Sequence, residues 1–297
     1  MGKFMFSGSL VALVTPMHTD GAIDWKAYER LLQFHLDNGT DGLVIAGTTG
    51  ESPVLEAQEQ VALVGRAKEY SRGKIPVIAG SGTNSTAKTV ELSKLMESAG
   101  ADGLLVVTPY YNRPSQDGLI QHFTAVADAV RIPVIPYNVP GRTAVDMLAP
   151  TVVQLSFHPR IVAIKEATGI VERCPEILRS ARAGFVVLSG DDLTYVDLLQ
   201  VGAQGTISVT ANVTPRAMHE ICAAALRGDF VAARKIDSTL TILHKTLFLE
   251  ANPIPVKWAV ARLGLMEDGI RLPLTKLQSR FHPQLMEAIA AAGIRFA

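Results

Sequence analysis

Asn38-Gly39-Thr40-Asp41-Gly42-Leu43-Val44-Ile45-Ala46 recurs in outline twice more along the chain. Ala99-Gly100-Ala101-Asp102-Gly103 leads into Leu104-Leu105-Val106-Val107, and Val201-Gly202-Ala203-Gln204-Gly205 leads into Thr206-Ile207-Ser208-Val209. Each copy reads as a helix stopped by glycine, where a left-handed backbone carries no Cβ penalty, followed by a buried strand. A second pattern recurs around it. Lys74-Ile75-Pro76-Val77-Ile78 and Arg131-Ile132-Pro133-Val134-Ile135 both open strands with a proline placed where no ladder donor is lost.

Working outward, eight strands are predicted: Leu10–Val14, Gly42–Ala46, Val77–Gly80, Leu104–Thr108, Val134–Tyr137, Val162–Lys165, Val186–Ser189 and Thr206–Thr210. Helical patterns lie between them. Asp24 caps one whose apolar residues Trp25, Tyr28, Leu32 and Leu36 fall at helical spacing. Ser115 starts another, with Ile120, Phe123, Ala127 and Val130 on one face. Strands alternating with helices imply a parallel sheet, and eight such units fit an α/β fold of the (β/α)8 TIM barrel class. A doubly wound open sheet is the alternative, weakened by the lack of a G-x-G-x-x-G turn after the first strand. Past Pro215 the strand signals stop. Pro215–Leu226, Phe230–Leu249, Val256–Leu263 and Lys276–Ala292 read as helices. The expected division is therefore a barrel over 1–214 and a C-terminal helical appendage over 215–297.

Composition narrows the function. The chain of 297 residues is 48% hydrophobic with zero formal net charge, so nothing points to nucleic acid or a membrane surface. Cys174 and Cys222 show neither metal-ligand spacing nor a disulfide framework. Met1–Phe6 lacks the long apolar stretch of a signal peptide, and no apolar run reaches a membrane span. The expected setting is cytoplasmic.

Ile161-Val162-Ala163-Ile164-Lys165-Glu166-Ala167-Thr168-Gly169 places a lysine where a buried strand ends. Alternation puts Ile161, Ala163 and Lys165 on one face. Desolvation would lower this amine from about 10.4 toward roughly 7–8, leaving it neutral and able to form a Schiff base with a carbonyl. The alternative is a strand-end lysine that reaches solvent. Other strand ends supply companions. Gly47-Thr48-Thr49-Gly50 offers backbone N–H groups and hydroxyls to a carboxylate or phosphate, or is simply a tight turn. Tyr137 is a proton relay or a rim aromatic, and Arg142 a carboxylate clamp or a solvated turn residue. Asp191-Asp192 reads as a turn or helix cap, and the seven histidines as structural, with no ligand cluster.

Gly47-Thr48-Thr49-Gly50-Glu51, Tyr137-Asn138-Val139-Pro140, Lys165-Glu166-Ala167-Thr168-Gly169 and Asn252-Pro253-Ile254-Pro255-Val256-Lys257 together carry a resemblance over the whole chain. It resembles the pyruvate-dependent class I aldolase family that includes dihydrodipicolinate synthase and N-acetylneuraminate lyase. The first motif, with Pro109-Tyr110-Tyr111-Asn112 and Gly141-Arg142-Thr143, is similar to the synthase branch rather than the lyase branch.

The resemblance implies that Lys165 forms the Schiff base with pyruvate. Tyr137 would relay protons in a hydroxyl chain with Thr48 and with Tyr111 of a neighbouring subunit. Thr48 and Thr49 would hold the pyruvate carboxylate, Arg142 the carboxylate of L-aspartate 4-semialdehyde, and Gly190 and Ile207 would line the pocket. The implied reaction is a lyase-class aldol condensation to 4-hydroxy-tetrahydrodipicolinate, in lysine and diaminopimelate synthesis, with no metal or organic cofactor. A pyruvate-dependent lyase acting on a sialic acid or 2-keto-3-deoxy sugar acid is the alternative. A homotetramer built as a dimer of dimers is implied as well. Pro136 stands where leucine is more familiar, which should leave Tyr137 in place but alter strand hydrogen bonding. Lysine-inhibited relatives bind lysine in a cavity matching Ser52, Pro53, Ala57, Gln60, Asn84, Lys88 and Tyr110 here. Lys88 replaces their usual glutamate, and Ala57 and Gln60 replace frequent histidines, so weak or absent lysine inhibition is expected.

Overall fold

The computed structural model describes residues 6–295. Met1–Met5 of the N-terminal stretch, and the last two residues of the expected appendage, lie outside them.

Eight parallel strands close into a barrel in chain order: β1 Gly8–Ala12, β2 Gly42–Ile45, β3 Val77–Gly80, β4 Gly103–Val107, β5 Val134–Asn138, β6 Ala163–Glu166, β7 Val186–Ser189 and β8 Gly205–Ser208. Closure comes from β1 pairing with both β2 and β8. A β carbon on Gly205 would lie 2.4 Å from the Gly8 carbonyl oxygen, so the closing seam needs a residue without one. Every predicted strand is present, and the first starts earlier and the last ends earlier than expected. Thr210 lies in a short 3-10 turn, Thr210–Asn212, because Asp192 and Ser208 side chains capture the N–H groups there.

Two apolar layers follow from strand alternation. Leu10, Val44, Ile78, Leu105, Ile135, Ala163, Leu188 and Ile207 fill the barrel interior. Val11, Leu43, Val77, Leu104, Val134, Ile164 and Val187 face the helices. Helix Trp25–Asp37 is capped by Asp24, whose carboxylate accepts the Ala27 N–H, and helix Gln116–Asp128 by Ser115.

One face assignment changes. Ile161 belongs to the outer layer, not to the interior with Ala163 and Lys165. The cause lies in the pairing of β5 with β6. Val134 bridges to Ile161, and Tyr137 then pairs with Lys165. The step on the β6 side is one residue longer, as in a bulge, and an extra residue flips every side chain upstream of it. The skipped stretch contains Pro136, which has no N–H to give the ladder. On its other edge β5 keeps unbroken register with β4 through Pro136 and Tyr137.

The C-terminal helices run Pro215–Leu226, Phe230–Thr246, Ile254–Arg262 and His282–Ala291. Helix Pro215–Leu226 packs on β1 and against helix Tyr195–Gln200, in the outer layer of the barrel. The last helix is shorter than the predicted Lys276–Ala292. Pro283 sits in its first turn, where a missing N–H costs nothing, and residues before Ser279 are not helical.

Candidate active site

Lys165 is the penultimate residue of β6, and its side chain lies inside the barrel at 6% exposure rather than reaching solvent. Burial pulls its amine from 10.5 down to about 7. Asp192 opposes that shift and Arg142 adds to it. The amine lies 4.2 Å from the centre of the Tyr137 ring on the adjacent strand. Tyr137 is buried, which pushes its phenol above the ordinary value, with Arg142 and the Thr48 hydroxyl acting in the opposite sense. The phenol therefore keeps its proton at neutral pH and is available as a donor.

Thr48 and Thr49 occupy the loop after β2. Gly50 and Ser52 donate to the Gly47 carbonyl, Glu51 donates to the Thr48 carbonyl, and Thr15 donates to the Gly50 carbonyl. Among the described residues, the Thr48 and Thr49 N–H groups have no acceptor. The loop starts at Ala46 and ends at Glu51, both with left-handed backbone (φ 51° and 61°). It comes so close to β3 that a β carbon on Gly80 would sit 2.1 Å from the Ala46 carbonyl oxygen.

Gly190 follows β7, and a β carbon there would lie 2.8 Å from Lys165 Cε. Its missing side chain is the space that the lysine arm uses. Ile207 is buried in the barrel interior. Arg142 donates to the Asn252 carbonyl at 3.2 Å, and Asn252 Nδ2 donates to Thr49 Oγ1 at 2.9 Å. Thr48, Tyr137 and Arg142 line one cavity of about 720 Å³. It extends past Ser52, Ala57, Gln60, Lys88 and Tyr110.

Tyr111 is not brought to this site. It is 90% exposed, with φ 74°, on the loop after β4. Asp191 accepts from the Thr194 hydroxyl, as a turn residue does, while Asp192 Oδ2 accepts the Val209 and Thr210 N–H groups. His35, His122 and His244 bond to threonine hydroxyls. His18 departs from its expected isolation, since it lies with the half-buried Asp24 and the exposed Glu267 in a group whose ligand-type atoms fall within 4.8 Å.

Three polar contacts near the site were not predicted. Glu166 accepts from Asn138 and from the Thr168 N–H. Asn138 also donates to Asp146, which Arg173 grips through both nitrogens. Burial raises the Glu166 carboxyl, with these donors opposing it. The third is an ion pair between the fully buried Glu51 and Lys257, with the Arg271 N–H donating to the other Glu51 oxygen at 3.1 Å. Each partner sits inside a motif quoted above, but nothing in either motif names the other.

The family model described as the Dihydrodipicolinate synthetase family matches residues 5–292. The chain is 53% identical over 291 residues to a 4-hydroxy-tetrahydrodipicolinate synthase of Azoarcus sp. (strain BH72), covering 98% of this chain and 100% of that one. It is 52% identical over 290 residues to the enzyme of the same name from Pseudomonas aeruginosa, covering 98% and 99%. Among solved structures, it is similar to a chloride-inhibited dihydrodipicolinate synthase from Acinetobacter baumannii complexed with pyruvate. That likeness has a TM-score of 0.96 and 47% identity, and covers 97% of this chain and 99% of that one.

Proposed function

The chain belongs to the Dihydrodipicolinate synthetase family, and on that premise we propose that it condenses pyruvate with L-aspartate 4-semialdehyde to 4-hydroxy-tetrahydrodipicolinate. The observation that carries this reading is the buried Lys165 amine held near neutrality beside Tyr137. The activity is that of a lyase of the class I aldolase type, serving lysine and diaminopimelate synthesis.

The neutral amine attacks the pyruvate ketone, and water leaves to form a protonated imine. That cation is an electron sink, so a methyl proton departs and an enamine forms. The enamine carbon bonds to the aldehyde carbon, whose oxygen takes up a proton. The amino group of the second substrate then attacks the imine carbon, closes the ring and releases Lys165. Tyr137 and Thr48 pass the protons, completed by Tyr111 from a neighbouring subunit; its exposure supports a role outside its own barrel. Thr48 and Thr49 hold the pyruvate carboxylate, Arg142 the second carboxylate, and Gly190 and Ile207 shape the floor. The working assembly on this reading is a homotetramer, a dimer of dimers, in the cytoplasm. Among the described residues no helix is long and apolar enough to cross a membrane. Turnover of pyruvate with L-aspartate 4-semialdehyde, set against sialic and 2-keto-3-deoxy sugar acids, tests the reading directly. Activity on the latter alone would overturn it.

Arg142→Ala is expected to raise KM for the aldehyde tenfold or more, the scale of a lost charge-assisted hydrogen bond, and to spare KM for pyruvate. Equal loss for both substrates would make Arg142 structural or a pyruvate ligand.

L-Lysine is expected to inhibit weakly or not at all. Lys88 lines the same cavity as Tyr137 and Arg142, so the position matching the glutamate of lysine-inhibited relatives presents a cation. Two like charges at about 4 Å repel by roughly 1 kcal/mol in water and more when partly buried. Activity titrated with lysine to tens of millimolar checks this, and sub-millimolar inhibition would contradict it.

The proposed functional division falls at about 214: residues 1–214 supply the reacting groups, and residues 215–297, whose first helix packs on the barrel, support them.

A further inference from the structure

The C-terminal segment touches the loop after β2 through residues that the proposed mechanism leaves unused. Asn252 Nδ2 donates to Thr49 Oγ1 at 2.9 Å, and both residues are buried. Five residues on, Lys257 forms its ion pair with Glu51, again with both partners buried. Glu51 closes the loop with a left-handed backbone that L side chains rarely adopt, so something must hold it there. Its carboxylate is engaged from both sides, by Lys257 and by the Arg271 N–H.

A buried ion pair is a poor way to gain stability, because desolvation offsets the attraction and an apolar pair of equal volume does as well. What such a pair adds is a fixed geometry. The geometry fixed here is that of the loop whose Thr48 and Thr49 N–H groups face no internal acceptor among the described residues. Arg142 leans on the same segment, through the Asn252 carbonyl rather than its side chain.

We propose that Asn252 and Lys257 are positioning residues for pyruvate: Asn252 orients the Thr49 hydroxyl, and Lys257 clamps Glu51 so that the Thr48–Thr49 backbone faces the substrate carboxylate. The inference rests on the reading of Thr48 and Thr49 as pyruvate ligands.

The test uses the full-length enzyme and steady-state kinetics in both substrates, with the rise in Tm on adding pyruvate as a readout independent of turnover. Asn252→Ala leaves the backbone carbonyl that Arg142 uses. It is expected to raise KM for pyruvate two- to tenfold, the scale of one net hydrogen bond, and to shrink the pyruvate-induced Tm rise. KM for the aldehyde and kcat should stay near the parent values. Adding Asn252→Ala to Thr49→Val should do no further harm, because the two act through one bond. Lys257→Met alone strands a buried carboxylate and is expected to misfold, so the pair is tested as E51Q/K257M, which removes both charges. That variant should fold and show the same selective loss for pyruvate. If Asn252→Ala is silent or damages both substrates equally, its positioning role is overturned. A normal KM for pyruvate in E51Q/K257M overturns the clamp. If Thr49→Val itself leaves pyruvate binding intact, the reading of the loop fails instead.

Discussion

Lys165→Ala is expected to abolish covalent capture of pyruvate by borohydride and to lower turnover by several orders of magnitude with the barrel intact. Among the described residues, no other barrel strand carries a lysine. On the proposed mechanism the Lys165 nitrogen forms the covalent intermediate, so its loss removes the route rather than slowing one step of it. Mass spectrometry of the reduced adduct locates the label, and a label on any other lysine would refute the assignment. The same amine sets a pH dependence. With its value at about 7, the nucleophilic fraction grows as pH rises through neutrality and levels off above it. Pyruvate capture by the free enzyme should follow that curve.

Stability carries the opposite side of the arrangement. The folded amine titrates at about 7 and the unfolded one near 10.5, so the unfolded chain holds an extra proton between those limits. Stability from this group therefore rises with pH across that window, and its cost is full below about 7, on the order of 5 kcal/mol. Lys165→Met should raise Tm at neutral pH while removing activity. A fall in Tm would mean that the lysine is held in the fold by contacts that outweigh its desolvation.

Tyr137→Phe is expected to slow turnover about 10²–10³-fold, the usual scale for a group that moves a proton. The substitution keeps the ring that lies over the Lys165 amine and removes only the hydroxyl. Borohydride capture should therefore persist at a reduced rate, and Tm should barely change. Full turnover in the variant would assign the proton transfers elsewhere; loss of capture would mean that Tyr137 governs the lysine itself.

The barrel was legible because its signals are local. Glycine-stopped helices and proline-opened strands repeat along the chain, and each is a short pattern with one physical cause. Lys165 was legible for a similar reason, as a charge on an otherwise apolar strand. Ile161 was misassigned because its face depends on the register with β5, and Pro136 disturbs that register from another strand. The helix over Lys276–Ala292 was overextended because its apolar pattern continues through residues whose backbone is not helical. Glu51–Lys257, Asn252–Thr49 and the Asn138–Asp146–Arg173 chain left no trace in local pattern. Two polar residues far apart in sequence announce nothing until the fold closes. Tyr111 lies between these cases: its motif was readable, but on a single chain it points to solvent.

Glu51 and Lys257 are 206 positions apart. On a ribosome adding about 5–20 residues each second, the carboxylate emerges roughly 10–40 s before its partner. A carboxylate without a counterion resists burial, so the loop after β2 cannot settle into its dry seat during that interval. Nascent chains arrested before Lys257 should carry this loop open to protease, and release of the remaining segment should close it. On that expectation, the loop after β2 takes its final seat only once the C-terminal segment has been made.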